Sequence, residues 1–252
     1  MNNLPFGTAT YRQFETTFLA SVIVGMNFPK VQDATSLRES WGKFTWALFS
    51  VKPMEGIFEK PIVISRSDNK LGFVFENGRA QVHISGDGYQ NFADSVIPHA
   101  YKLKQFVTEV VGVKAPTQLG IRKIDVFQIE TDNKKTVDEG AVREHFFSAD
   151  YCELQEGCVN LDEEEKKILG MKKHQWTEGN NQLTLRSAFV KAAETENRYR
   201  LILDIDEQHS PQEGVNLDKL DEILKDMNMD LFNAYMWCVS DNVTRIMKNG
   251  KE

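Results

Sequence analysis

The segment Leu71–Ile84 constrains this chain more than any other stretch, because a single turn sorts its apolar residues onto one side. Asn77-Gly78 accept the positive φ of a type I′ turn, and alternating residues flank the pair. With those two as the loop, Glu76 faces Arg79, and Phe75, Phe73 and Leu71 pair with Ala80, Val82 and Ile84 on one face. Gly72, Val74, Gln81 and His83 take the other. A slip of one residue would turn every apolar side chain to water, so the pattern predicts an antiparallel hairpin in one register. Pro61–Arg66 ("PIVISR") is expected to add a third strand.

A second alternating run carries Phe14, Thr16, Phe18, Ala20, Val22, Val24, Met26 and Phe28 on one side. Period two predicts a strand with one face on a core, and Gly25 is expected to mark a bulge or bend. Ser21 and Asn27 interrupt its apolar part, which falls short of the ~20 residues that span a bilayer. Arg12 is offset by Glu15, so no signal-peptide pattern precedes it. The expectation is a soluble cytoplasmic protein with no membrane contact. Leu37, Trp41, Phe44 and Leu48 then recur at helical spacing.

Gly86-Asp87-Gly88 raises the question of a phosphate loop. The fixed glycine spacing, or the Lys and Ser/Thr at a helix start, that such a loop needs is missing. The stretch therefore predicts a turn into a helix bearing Phe92, Val96, Leu103, Val107 and Val110, with Asn91 as N-cap and Asp94 three residues on. Pro98 either belongs to the first turn or kinks the helix. Pro116–Glu130 predicts another strand, whose apolar phase shifts between Ile121 and Ile124 and suggests a bulge near Arg122.

Residues 131–170 are polar, with one expected helix over Val137–Phe147 and an acidic run over Asp162–Glu165. The final third predicts strands at Lys172–Thr177, Gln182–Val190 and Arg198–Asp206, then a long helix from Leu217. This repeats the order of elements that starts at Pro61. The fold class is therefore α+β, with largely antiparallel curved sheets backed by long helices and a duplicated three-strand-plus-helix unit. The expected organisation is an N-terminal unit over 1–130, a polar linker or insertion over 131–170, and a C-terminal unit over 171–252, which can pack as one domain.

Leu217, Leu220, Leu224, Met227, Leu231, Ala234 and Cys238 recur at alternating three and four in the long helix. Ile223, Tyr235 and Trp237 widen the stripe, which suits packing on a sheet better than a coiled coil. Met229, Tyr235, Met236 and Trp237 are then the candidate interaction residues, because a broad stripe exceeds what one sheet covers.

Charge and chemistry narrow the function. A net charge of −7 argues against nucleic acid, whose binders usually carry a basic surplus. Three cysteines are too few and odd in number for a disulfide framework, which suits a reducing compartment. Asp204 and Asp206 share one strand face and, with His209, are the candidates for a divalent metal that activates water. Cys152, Cys158, His145 and His174 match no familiar zinc spacing. Arg122, Arg186, Arg198 and Arg200 fall on predicted strands, either as an anion-binding face or as partners of acids. No dinucleotide, Walker or nucleophile-elbow motif is present, and no cofactor is expected.

"GYQNFADSVIPHAYKLKQFV" followed by "GIRKIDVF" resembles a sporadically distributed, functionally uncharacterised family of bacterial proteins of similar size. The shared features are Tyr89 and Phe92 at a helix start, Gly120-Ile121-Arg122 on a strand, and Phe232 before Val239-Ser240-Asp241 near the C-terminus. The resemblance brings no catalytic residues. Its patchy distribution implies a gene carried with mobile or phage-defence systems. The leading expectation is a non-enzymatic protein-binding or assembly component, with a protein partner or self-association. The alternatives are a metal-dependent hydrolase using Asp204, Asp206 and His209, and a chaperone-like binder of apolar segments.

Overall fold

The computed structural model describes residues 6–7, 9, 17–30, 62–65, 68–76, 78–130, 138–154, 168–191 and 198–249. The helix expected over Leu37–Leu48, Asn77 of the turn, Cys158 and the acidic run Asp162–Glu165 lie outside these residues.

Among the described residues, eight strands form one sheet: β1 (Leu19–Asn27), β2 (Ile62–Ser65), β3 (Leu71–Glu76), β4 (Arg79–Ser85), β5 (Gln118–Glu130), β6 (Ile168–Glu178), β7 (Asn181–Lys191) and β8 (Arg198–His209). Their order is β2-β3-β4-β1-β5-β8-β7-β6, and every neighbouring pair is antiparallel. The hairpin register is the one its apolar pattern predicts, from Leu71↔Ile84 to Glu76↔Arg79, and Gly78 takes a φ of 99° at the turn. The fold is α+β with a largely antiparallel, curved sheet backed by helices.

The sheet order reads the same from either edge. β1 to β4 make one half and β5 to β8 the other, each ending in a helical segment, and β1 and β5 meet in the middle. Among the described residues each half thus has four strands, one more than the sequence pattern suggested. Its extra strand was hidden because β1 and β5 each precede their three-strand run by a long connection.

The helices are α1 (Phe92–Ser95), α2 (Ile97–Gln105), α3 (Glu139–Phe146), α4 (Ala149–Glu153), α5 (Leu220–Cys238) and α6 (Asp241–Asn249). Their buried residues join one cluster with Val22, Val24, Met26, Phe73, Val82, Ile121 and Leu203, so they back a single face of the sheet. In α5, which lies across β5 and β8, Leu220, Leu224, Met227, Leu231, Ala234 and Cys238 are fully buried. Each such Leu contributes roughly 1.5–3 kcal/mol by leaving water, which is why the stripe packs on the sheet.

Gly86-Asp87-Gly88 is a single turn of 3-10 helix. A Cβ on Gly86 would lie 1.9 Å from the Leu19 carbonyl oxygen, and one on Gly88 would lie 2.8 Å from that of Lys70. Close backbone approach, rather than phosphate, explains both glycines. Asn91 Oδ1 accepts from the Asp94 amide at 2.9 Å, the N-cap bond expected from the sequence. The helix breaks at Val96, and Pro98 falls in the first turn of α2, where its missing N–H costs nothing.

Two sequence expectations are corrected. β5 pairs with β8 without interruption from Leu119↔His209 to Glu130↔Arg198, so Arg122 carries no bulge; the irregularity against β1 falls at Leu19/Ser21. The apolar phase shift arises because Lys123 and Asp125 occupy the core side alongside Leu119, Ile121 and Phe127. Lys123 Nζ donates to Asn228 Oδ1 at 2.7 Å. Burial lowers the Lys123 amine to about 8 and raises the Asp125 carboxyl to about 7, while their mutual attraction opposes both. Gly25 is likewise no bulge: it pairs regularly with Gln81 on one side and Gly120 on the other.

Candidate functional site

The face away from the helices is polar at its centre. Because side chains alternate along strands, residues of one parity from β4, β1, β5 and β8 gather there. Registered pairing lines up Gln81, Gly25, Gly120 and Gln208 in one row across the four strands. One step along the strands, His83, Ile23, Arg122 and Asp206 form the next row. One step the other way stand Arg79, Asn27 and Gln118. Together with Arg186 of β7 these residues line a cleft of about 350 Å³.

The two glycines set the floor. A Cβ on Gly25 would stand 3.1 Å from Gln81 Cγ, so the bare backbone lets the Gln81 side chain fold over it. At Gly120 a Cβ would meet nothing nearer than 3.5 Å, which leaves that part of the floor open. Glycine in a strand interior weakens pairing and marks places where another group approaches the backbone.

A continuous hydrogen-bond network organises the walls. Asn27 Nδ2 donates to Gln118 Oε1. Gln118 Nε2 donates to Gln208 Oε1 at 2.8 Å, and Gln208 Nε2 donates to Asp206 Oδ2 at 2.9 Å. On the opposite wall the Gln81 amide bridges the Arg79 and His83 side chains. With its carbonyl end toward Arg79 it accepts from Nε at 2.9 Å, and its amide nitrogen donates to His83 Nε2 at 3.3 Å. That bond needs an unprotonated His83 Nε2. Burial, with help from Arg79 and Arg122, lowers the His83 pKa and so favours that state.

Arg122 grips Asp204 with two bonds, Nε to Oδ1 at 2.7 Å and Nη2 to Oδ2 at 2.8 Å. Arg186 Nη1 adds a third at 3.1 Å, and its Nη2 lies 4.0 Å from Asp206 Oδ2. Asp204 is only 6% exposed, so this pairing offsets the cost of burying a carboxylate. Burial raises the Asp206 pKa, opposed by Gln208 and Arg186.

The structure therefore brings Asp204 and Asp206 together, as their spacing predicts, but gives both to guanidinium groups. His209 has the other parity and points to the helix side, where its Nδ1 lies 2.6 Å from Asn181 Oδ1. Among the described residues, no group of three or more His, Cys, Asp or Glu is arranged to hold a metal ion. Of the four residues singled out on the long helix, Met229 alone is exposed; Tyr235, Met236 and Trp237 are half-buried. Trp237 packs against Phe6, Tyr151 and Trp176 at ring distances of 6.0, 6.0 and 6.3 Å. Tyr235 donates its hydroxyl to Met247 Sδ at 3.3 Å. Arg198 and Arg200 are exposed at the far end of β8.

Sequence reasoning missed the amides Asn27, Gln81, Gln118 and Gln208 and the pairing of Gly25 with Gly120. Only the contact of β1 with β5 joins them, and no local pattern announces that contact. Compared with models of known protein families, the chain matches none. No curated protein matches it either.

Proposed function

We propose that this chain is a non-enzymatic binding component that engages a protein partner, or a second copy of itself, through the open polar face of its sheet. The observation that carries this reading is the row Gln81–Gly25–Gly120–Gln208: a bare backbone floor between amide-bearing walls, held in place by a continuous network. Such a surface offers donors and acceptors in fixed directions at little ordering cost, which favours recognition. Chemistry would need a nucleophile beside a base, or an activated water, and the polar side chains lining the cleft around Ile23 are amides, guanidiniums, one imidazole and a paired carboxylate. The large apolar side chains exposed among the described residues are Tyr101 and Met229, so the surface on view favours polar partners over unfolded apolar segments.

Native mass spectrometry on the chain purified at its natural expression level tests this. The expected result is a complex, either whole multiples of the chain or the chain with another polypeptide. A monomer carrying a stoichiometric metal would instead favour hydrolysis and overturn the reading.

A further inference from the structure

The opposite face of β8 carries a second feature. Glu207 follows Asp206 directly, so it points toward the helices, where it is 1% exposed. Asn181 Nδ2 donates to its Oε1 at 2.9 Å, and Asn181 is in turn held by His209. Glu207 Oε2 is buried and meets no donor among the described residues. A buried carboxylate oxygen without a partner costs about 1–3 kcal/mol or more, and so calls for a ligand.

Glu207 lines a pocket of about 260 Å³ between the ends of β6, β7 and β8 and the middle of α5. Its walls are Trp176, Glu178, Asn181, Leu183, Glu207, Asp226 and Asp230. Four carboxyl-bearing residues thus line one small space, with no lysine or arginine among the described lining residues. Asp226 and Asp230 stand at i and i+4 on α5, where like charges repel. Burial, then Glu178 and Asp226, raise the Asp230 pKa. Burial, then Asp230, hold Glu207 protonated up to about 9. An incoming cation would relieve this repulsion, and the Trp176 indole adds a face that attracts organic cations.

We propose that this pocket binds an alkylammonium cation, with Glu207 at its base, Asp226 and Asp230 on the helix side, Glu178 at the sheet edge and Trp176 as the aromatic wall. The geometry favours an organic cation over a metal ion: the carboxylates surround a space without converging on one point, and no metal-holding group is found among the described residues. The small volume selects a slender chain ending in an amine, either a free polyamine or a lysine side chain presented by a peptide. This site lies on the helix side of the sheet, apart from the open polar face, so either assignment can fail alone.

The test is calorimetric titration of the full chain at pH 7.5 with spermidine, and in parallel with a blocked lysine tripeptide, each against sodium chloride of equal ionic strength. Saturable binding of one cation per chain is expected. Asp230→Asn should weaken it about tenfold or more, and Asp226→Asn should also weaken it. A Met229→Glu control, on the same helix outside the pocket, should leave it unweakened. Binding of spermidine alone would identify a free polyamine as the source, and binding of both would identify the ammonium group as the recognised element. Heats no larger than those of matched salt, or binding unchanged in both Asp variants, would overturn the proposal. Both Asp substitutions remove charge at half-exposed or exposed positions, so folded variants are expected, and circular dichroism checks this.

Discussion

Asp204 and Asp206 look out of one face of β8, and Glu207 looks out of the other. On the open face two arginines and a glutamine meet the acids with bonds as short as 2.7 Å. On the helix side Glu207 has one bond to Asn181, and its surroundings add further carboxyls rather than cations. Adjacent residues of one strand therefore inhabit opposite electrostatic regimes. The lesson is that a cluster of acids in sequence is not a cluster in space: the two-residue period splits "DIDEQH" between a neutralised recognition surface and an unneutralised pocket.

The sharpest way to break this contrast is to remove the cation from the paired side. Arg122→Met should cost about 2–3 kcal/mol in urea unfolding at pH 7, less than a fully buried pair because the Arg122 side chain is 43% exposed. A loss below about 0.5 kcal/mol would mean that Asp204 does not depend on it.

Glu207→Gln tests the other side and should have the opposite sign. The folded chain keeps Glu207 protonated up to about 9, whereas the unfolded chain releases that proton near the ordinary glutamate value of 4.5. A raised carboxyl pKa gives stability that is present below the unfolded value and lost as pH rises toward the folded one. The variant should therefore match the native chain near pH 4.5 and exceed it by about 2 kcal/mol at pH 6, with the gap widening as pH rises further. Equal stability at both pH values would show that the pocket is not strained.

Arg186→Met should cost only about 1 kcal/mol, because Arg122 retains both of its bonds to Asp204. Smallest of all is Met229→Glu, an exposed position on α5, expected to change stability by less than about 0.5 kcal/mol.

Legibility in the sequence followed the range of the interactions. The Leu71–Ile84 hairpin was readable because its turn and both its strands lie in one stretch, and the Asn91 cap because its partner is three residues away. The α5 stripe showed its packing partner through its width. Lys123 and Asp125 misled for the same reason in reverse: two charges at core positions look like a change of phase unless the helix carrying Asn228 is known to lie over them. The recognition face was illegible because it is assembled from β4, β1, β5 and β8, and β1 and β5 are separated by about ninety residues. Nothing local distinguishes Gly25 as a floor from Gly25 as a bulge.

The most direct test of binding through the open face is native mass spectrometry on Gly120→Trp beside the native chain. A Cβ at Gly120 would meet nothing nearer than 3.5 Å, so a side chain can be added there without a backbone clash at its root. Loss of the complex with an unchanged unfolding transition is the expected result. A complex that survives Gly120→Trp but is lost in Met229→Glu would move recognition to the long helix and contradict the assignment.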